Sequence, residues 1–232
     1  MKTAFWSRLW DCISPRRCGV CGCRLAVCEE SLCTVCLLHL PRTYFWLSPQ
    51  DNKLARQFWG LLPVERAASW FFYEPHSETG RLVYDLKYHS RPETGVALGR
   101  IMASELESSR FFSGIDCLIP VPLSRKRQRS RGYNQSERIA CGLSEVTSIP
   151  VCAQAVKRVH FRHSQTRLDR WQRMENVNRM FRLTGKVHLE DKHILLIDDI
   201  ATTGATLTAC GEVFQKISGV KISILTLGFS KS

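Results

Sequence analysis

The hydrophobic pattern alternates between strand-like and helix-like segments from about residue 64 onward. Residues 64–74 (VERAASWFFYE) form an apolar and aromatic run typical of a strand. Ser77 is a suitable N-cap for a helix over 77–89, whose apolar residues fall on one face. Apolar residues at helical spacing indicate a second amphipathic helix around 98–106. This region therefore predicts one strand followed by two helices.

The same alternation continues to the end of the chain. Short apolar runs predict further strands at 116–122, 151–159, 193–198 and 220–229. Apolar residues at helical spacing predict helices over 134–146 and 207–217. Strands that alternate with helices are typical of an α/β fold with a mostly parallel sheet flanked by helices.

The first 50 residues lack this alternation. A chain of 232 residues suits one core domain with a small appendage. The turn-rich stretch 47–52 (LSPQDN) has the composition of a linker. We therefore expect a small N-terminal module over residues 1–50 and a main domain over residues 51–232.

No apolar run reaches the roughly 18 residues that a membrane-spanning helix needs. The first residues are interrupted by Asp11 and do not resemble a secretory signal. Four scattered cysteines in apolar surroundings suit a reducing compartment; they are Cys117, Cys141, Cys152 and Cys210. We therefore expect a cytoplasmic protein without a membrane span.

The net charge of +12 is concentrated in one part of the chain. Residues 123–182 hold 14 basic and 4 acidic side chains, whereas residues 183–232 hold 5 of each. A local excess of +10 is typical of a protein with an anionic partner.

Two CxxC pairs near the N-terminus predict a structural zinc site. Cys18 and Cys21 form the first pair, and Cys33 and Cys36 form the second. Two such turns supply four thiolates for one tetrahedral Zn²⁺, and the metal would provide much of the folding free energy of so short a segment. Redox-active cysteines are the alternative interpretation. Three neighbouring cysteines compete as ligands: Cys12, Cys23 and Cys28.

The stretch 194–206 (ILLIDDIATTGAT) contains the clearest candidate site. An apolar strand leads into Asp198 and Asp199. Adjacent side chains of a strand point to opposite faces, so we expect the strand to end at these aspartates if both carboxylates serve one ligand. The following loop, 201–206, offers hydroxyls and the N–H groups of a helix start, which suit a phosphate.

Carboxylates beside a phosphate site suit sugar hydroxyls or Mg²⁺, so the stretch predicts a site for a phosphorylated ribose at the carboxyl end of a parallel strand. The alternative is an aspartate that only caps the next helix.

The motif IDDIATTGAT (197–206) resembles the 5-phosphoribosyl-1-pyrophosphate (PRPP) motif of type I phosphoribosyltransferases. The paired cysteine knuckles resemble the ComF/GntX family, as do three further segments: LVYDLKYHSR (82–91), VPLSRKRQRSRGYNQSERIA (121–140) and SQTRLDRWQRMENVNRMFRL (164–183). The resemblance implies a type I phosphoribosyltransferase fold and a role in DNA uptake during natural transformation. It also implies PRPP with Mg²⁺ as ligand and competence-machinery proteins as partners.

The resemblance assigns roles to individual positions. Asp198 and Asp199 would hold the ribose hydroxyls, one of them through Mg²⁺. The 5′-phosphate loop would consist of Ala201, Thr202, Thr203, Gly204, Ala205 and Thr206. The turn formed by Arg131, Gly132 and Tyr133, which we expect to follow a strand and open a helix, resembles the pyrophosphate loop. Arg131 would face the diphosphate, together with Lys87. The alternative for both cations is a solvated position.

A basic segment precedes the last part of the chain. In this superfamily a flexible loop closes over bound PRPP and excludes water, and residues 160–172 occupy the corresponding position. The basic residues equally suit a single-stranded DNA backbone, with Tyr133 or Trp171 as stacking partners. The cations expected to contact DNA are Arg125, Lys126, Arg127, Arg129, Arg167 and Arg170. A solvated basic hairpin is the alternative.

The sequence leaves three functions open. The first is a Mg²⁺-dependent phosphoribosyltransferase with an unidentified acceptor. The second is a single-stranded DNA-binding competence accessory, and the third is a PRPP-sensing regulator. No residue resembles a catalytic nucleophile or a dedicated general base, so no catalytic residue is assigned.

Overall fold

The structure is a computed structural model and describes residues 16–88, 91–159 and 180–230. A four-stranded sheet in the order β1-β6-β5-β2 lies at its centre, and every pairing within it is parallel. Two further strands, β3 and β4, form a separate antiparallel pair. The strand bounds are β1 (Arg66–Tyr73), β2 (Cys117–Pro120), β3 (Val156–Arg158), β4 (Phe181–Leu183), β5 (His193–Ala201) and β6 (Lys221–Ser230).

Helices cover both faces of the sheet, because its strands are apolar on both sides. Their bounds are α1 (Thr34–Leu38), α2 (Glu78–Tyr88), α3 (Pro92–Glu107), α4 (Arg125–Arg131), α5 (Gln135–Thr147) and α6 (Ala205–Gly211). Three 3₁₀ turns span Phe45–Leu47, Ala55–Phe58 and Phe214–Lys216. The predicted fold class, a mostly parallel sheet flanked by helices with an N-terminal cysteine cluster, is confirmed.

Two apolar clusters fill the spaces above and below the sheet. The first contains buried residues of α2, α3 and α5 together with the cysteine-containing segment. The second contains buried residues of α6, the Ala55–Phe58 turn and the β3–β4 pair. Helices α3 and α5 approach so closely that a Cβ on Gly142 would lie 2.0 Å from the carbonyl oxygen of Val96.

The N-terminal segment continues into the first cluster without a solvated gap. Trp46 is buried, and the Asn52 amide donates hydrogen bonds to the carbonyls of Ser48 (2.9 Å) and Ala67 (2.8 Å). The turn-rich stretch 47–52 is therefore held against β1. The boundary near residue 50 stays a prediction.

Two sequence expectations differ from the structure. The helix expected over 207–217 is shorter, since α6 ends at Gly211 and a 3₁₀ turn follows. The strand expected over 151–159 covers only β3, because residues 153–155 turn before it. Across the described ranges, no helix has both the length and the apolar character needed to cross a membrane.

Candidate functional site

Four cysteine thiols converge in the N-terminal segment, and they are the four that the CxxC spacing predicts. The sulfurs of Cys18, Cys21, Cys33 and Cys36 all lie within 4.8 Å of one another. They are free thiols, and the sulfurs of Cys21 and Cys33 are 3.7 Å apart. Sulfurs held at about 2.3 Å by one tetrahedral ion would lie about 3.8 Å apart, so the cluster fits a metal ion.

The other N-terminal cysteines lie outside this set of four. Cys23 and Cys28 are both exposed. The Cys23 thiol lies against Cys21 and Cys33, and this contact raises the pKa of Cys23 to about 12. Cys12 is outside the described residues.

The acid pair lies within β5 and not at its end, so the expectation that the strand stops at these aspartates was wrong. β5 continues to Ala201, and Asp198 still pairs with Thr226 of β6. On its other side, β2 ends at Pro120, and the next residue makes one last contact, Val121 N–H to the Ile197 carbonyl at 2.9 Å. Beyond that point β5 has no neighbour from β2.

This early end of β2 explains how both carboxylates reach one cavity. The Asp199 carboxylate pairs with the Lys87 ammonium of α2 at 2.9 Å. The Asp198 carboxylate accepts a hydrogen bond from the Ser136 hydroxyl of α5 at 3.0 Å. Because β2 has already ended there, side chains from both faces of β5 border the same space, a cavity of about 340 Å³.

The cavity beside β5, which we call the β5 cavity, combines two carboxylates with four cations. Its charged lining residues are Lys87, Arg127, Arg131, Arg158, Asp198 and Asp199. Burial and the adjacent charge of Asp199 raise the pKa of Asp198 to about 7. One of the two carboxylates therefore holds a proton over part of the neutral range, while the other is paired with Lys87.

The threonine-rich loop adjoins the acid pair. Residues Asp198 and Ile200–Leu207 line a recess of about 30 Å³, and Thr202 and Thr206 also border the β5 cavity. Gly204 has φ 73° and faces Phe58, whose ring would lie 3.1 Å from an added Cβ. The Gln57 amide donates to the Thr202 carbonyl at 2.7 Å. The loop is thus fixed from behind by the Ala55–Phe58 turn, a support that the sequence did not reveal.

The RGY turn follows a helix, which corrects the expectation that it follows a strand. α4 occupies residues 125–131, with the Ser124 hydroxyl capping its start and Gly132 at φ 80° ending it. No residue of α4 is buried, so it carries no apolar periodicity by which to predict it. The turn then leads into α5 through Asn134, which caps that helix.

The side chains of the RGY turn have different surroundings. The Arg131 guanidinium borders the β5 cavity, donates to the Gln135 side-chain oxygen at 2.9 Å and lies 5.5 Å from the centre of the Tyr88 ring. The Tyr133 hydroxyl donates to the carbonyl of Leu86 in α2. Tyr133 is therefore held against α2, and this contact makes it a poor candidate for stacking on a DNA base.

Arg158 is the main site residue that sequence reasoning missed. It lies at the end of β3, half-buried, with its guanidinium 5.3 Å from the centre of the Phe181 ring and 2.8 Å from the Met180 sulfur. Burial, and then the charge of Arg127, lower its pKa. The only sequence signal was a basic residue at the end of a short apolar run.

The remaining predicted cations are divided between two regions. Arg125, Lys126, Arg127 and Arg129 all lie exposed on α4. Arg167, Arg170 and the stacking candidate Trp171 lie outside the described residues.

The parallel sheet, the acid pair on its interior strand β5 and the threonine loop before α6 define an α/β protein with a charged cavity at the carboxyl end of its sheet. Among solved structures, the chain is similar to the allosteric regulatory enzyme of purine biosynthesis, with a TM-score of 0.35 and 19% identity over 60% of this chain and 29% of that one. It is also similar to adenine phosphoribosyltransferase from Leishmania tarentolae, with a TM-score of 0.35 and 10% identity over 78% and 89% of the two chains.

Among curated proteins, the chain is similar over most of its length to DNA utilization protein YhgH of Escherichia coli (strain K12). The two are 27% identical over 224 residues, which cover 92% of this chain and 96% of that protein. Competence protein F of Haemophilus influenzae is 34% identical over 110 residues, covering 47% and 48% of the two chains. No family model matches the chain. These homologues confirm the predicted resemblance to the ComF/GntX family.

Proposed function

We propose that the chain binds PRPP with Mg²⁺ in the β5 cavity and acts in DNA uptake as a phosphoribosyltransferase-like protein. One observation carries the proposal. A single cavity of about 340 Å³ contains an acid pair, four cations and two threonines of the loop. These are the groups that a ribose diol, a diphosphate and a 5′-phosphate require.

The ligand's parts match the cavity in order. The 5′-phosphate suits the recess formed by Thr202 to Thr206, which is closed behind by Phe58. The diphosphate suits the cations Lys87, Arg127, Arg131 and Arg158, since guanidinium groups pair well with phosphate oxygens. The hydroxyls of the ribose then face Asp198 and Asp199.

The half-buried Arg158 supports this assignment most directly. Its guanidinium lies against Met180 and Phe181, and the positive charge of Arg127 outweighs the negative charge of Asp198 in lowering its pKa. A cation that is partly desolvated and lines a cavity is favoured by an anionic ligand.

The acid pair would bind Mg²⁺ only when PRPP supplies further oxygen ligands. Across the described residues, the cysteine cluster is the one group of three or more side chains suited to hold a metal ion. Two carboxylates are too few for an all-protein Mg²⁺ cage, but Mg²⁺ commonly binds one or two carboxylates plus substrate phosphates. Binding must also rearrange the Lys87–Asp199 ion pair, which frees Asp199 for the sugar and Lys87 for the diphosphate.

We assign the metal of the cysteine cluster as structural zinc. Four thiolates complete a tetrahedral shell and leave no position for a catalytic water. The segment packs into the first apolar cluster through Val20, Leu25 and Leu32, so the ion would hold that surface in place.

Calorimetric titration of PRPP with and without Mg²⁺ tests the main proposal. We expect saturable 1:1 binding that weakens when Mg²⁺ is omitted. A screen of bases and nucleotides for pyrophosphate release then separates a transferase from a PRPP-sensing regulator. The absence of PRPP binding in zinc-loaded protein would contradict the proposal.

A second function, binding of single-stranded DNA, is favoured by α4. Residues 125–130 of this helix are exposed and Arg131 is partly exposed. The helix carries five cations: Arg125, Lys126, Arg127, Arg129 and Arg131. A diphosphate uses two or three of these. The remaining cations would contact the phosphates of an extended polyanion, which would offset the repulsion among them.

Salt titration of oligonucleotide binding tests this second function. We expect the logarithm of affinity to fall with the logarithm of salt concentration, with a slope of about −0.7 per phosphate contacted. Replacing Arg125, Lys126 and Arg129 by Gln spares Arg127 of the β5 cavity and should flatten the slope. A matched triple change of the exposed Lys186, Lys216 and Lys221 should leave it unchanged. Equal slopes in the two triple variants would remove α4 from the DNA interface.

A further inference from the structure

A second and larger cavity lies beside the β5 cavity, and no part of the proposal so far uses it. Its volume is about 710 Å³, and it is bordered mainly by α2 and α4. We call it the tyrosine cavity because three tyrosines line it. The lining residues that matter here are Tyr73, Arg81, Tyr84, Tyr88, Arg127 and Arg131.

Two of the tyrosines form an exposed aromatic pair. Tyr84 and Tyr88 lie one turn apart on α2, with ring centres 4.7 Å apart. Their exposed fractions are 57% and 55%, and they are among the exposed large hydrophobic residues of the described structure. Neither ring contributes to the apolar clusters on either face of the sheet. The two rings therefore present an aromatic surface to solvent.

The cavity combines these rings with positive charge. The Arg131 guanidinium lies over the Tyr88 ring at 5.5 Å. Arg81, Lys87 and Arg127 also line the cavity, whereas Asp85 is the one acidic residue among its described lining. A ligand with a planar aromatic part and an anionic part fits this combination, which is the chemistry of a nucleotide.

The tyrosine cavity adjoins the β5 cavity. Both are lined by Tyr73, Lys87, Arg127 and Arg131. A base stacked on the tyrosines would therefore lie next to the cavity proposed for PRPP, with Arg127 and Arg131 between the two.

The exposure of the rings favours a base within a strand over a free base. A site for a small molecule usually buries most of the ligand's surface, whereas a stacking platform covers one face and relies on contacts along the backbone. The exposed cations of α4 begin at the rim of the cavity and provide such contacts.

We propose that Tyr84 and Tyr88 form a stacking site for a base of single-stranded DNA, with Arg81, Arg127 and Arg131 next to its phosphates. This inference rests on the DNA-binding half of the proposed function. It adds a defined location and gives a role to the two tyrosines of segment 82–91, to which the sequence analysis assigned none.

The test compares two strands and three proteins. One strand is a thymidine 12-mer, and the other has the same length with abasic sites, so it keeps the phosphates but lacks the bases. The proteins are wild type, the double variant Tyr84→Leu/Tyr88→Leu and the control Tyr44→Leu. Tyr44 is a 59% exposed tyrosine that stacks on Trp46 and lines neither cavity.

Binding is measured by fluorescence anisotropy in the zinc-loaded full chain. We expect wild type and Tyr44→Leu to bind the thymidine strand about tenfold more tightly than the abasic strand. The double variant should bind both strands equally, at the affinity of wild type for the abasic strand. Its melting temperature should match wild type, since neither ring is in the core.

Three results would overturn the inference in distinguishable ways. A double variant that still prefers the thymidine strand places base stacking elsewhere and leaves DNA binding intact. Thymidine monophosphate that binds as tightly as the 12-mer makes the cavity a site for a free nucleotide. Wild-type protein that binds neither strand removes the DNA-binding function itself.

Discussion

The cysteine cluster and the β5 cavity differ in how far apart their residues lie in the sequence. All four thiols lie between Cys18 and Cys36. The residues around the β5 cavity extend from Tyr73 to Thr206 and come from β1, α2, the β2–α4 loop, α4, β3 and β5 with its following loop. The first site is local, and the second is assembled by the whole fold.

The two sites should therefore have opposite effects on the stability of the fold. A local thiol cluster gains its free energy from the metal, so each ligand supports the fold. The β5 cavity instead holds like charges together, with Asp198 beside Asp199 and Arg158 near Arg127. We therefore expect changes in the cluster to destabilise the chain, and changes in the cavity to weaken binding with little loss of stability.

The largest effect should come from the cluster. Cys36→Ser removes a buried thiolate, and we expect loss of the zinc and a fall in melting temperature on the order of 10 °C or more. Cys28→Ser is the control, because Cys28 is exposed and outside the cluster. Atomic emission and thermal denaturation measure the outcome. If Cys36→Ser keeps one zinc per chain and the wild-type melting temperature, the cysteine cluster does not stabilise the fold more than the β5 cavity does, and the prediction is wrong.

The next largest effect should be on PRPP affinity. The double variant Asp198→Asn/Asp199→Asn removes both carboxylates, and each charge-assisted contact contributes roughly 1.5–3 kcal/mol. We expect affinity to fall by about a hundredfold or more, with zinc content unchanged. Calorimetric titration with Mg²⁺ measures it. Wild-type affinity in this variant would show that the acid pair does not hold the ligand.

A smaller effect should distinguish two neighbouring residues of β3. Arg158→Gln removes a cation from the β5 cavity, and we expect PRPP to bind about tenfold more weakly. Lys157→Gln removes a cation of the same strand that is exposed and outside the cavity, so its affinity should be that of wild type. The same loss in both variants would indicate a general charge effect and not a contact.

The smallest effect concerns stability and pH. The pKa of Asp198 is raised from its ordinary 3.8 to about 7, so the folded state binds more protons than the unfolded state between these values. Asp198 therefore stabilises the fold most when it is protonated, and this stability is lost as pH rises toward and through 7. We expect Asp198→Asn to melt about 2–4 °C above wild type near pH 8, with the difference shrinking near pH 5.5.

Asp116 provides a control of opposite sign. A hydrogen bond from the His193 N–H lowers the pKa of Asp116, so its contribution is present above its ordinary pKa and is lost as pH falls. Asp116→Asn should therefore melt below wild type near pH 8. If Asp198→Asn also melts below wild type near pH 8, the ionised acid pair stabilises the fold. That result would contradict the expectation that the β5 cavity contributes little to stability.

Several features of the molecule could be predicted from the sequence because they depend on local pattern. Strand and helix periodicity gives the α/β class, and two CxxC pairs give the four cysteines that cluster in the fold. The acid pair and threonine loop are contiguous, so their adjacency to one another follows from the chain itself.

Other features depended on where separate segments meet. No pattern indicates that β2 ends early enough to let Asp198 and Asp199 border one cavity while β5 continues. α4 has no buried face, so apolar periodicity does not reveal it. From the sequence, Arg158 is only a basic residue near the end of a short predicted strand. In the structure, the β3–β4 pair holds it in the lining of the β5 cavity, together with the acid pair.

Local sequence pattern was thus enough for the α/β alternation, the four clustered cysteines and the contiguous threonine loop, because each is set by spacings of a few residues. The packed fold was needed to show which cations surround the acid pair, and that Tyr84 and Tyr88 remain exposed beside it. Side chains far apart in sequence meet only once the sheet is formed and its helices are packed. Electrostatics and burial at such meeting points, and not local pattern, set their chemistry.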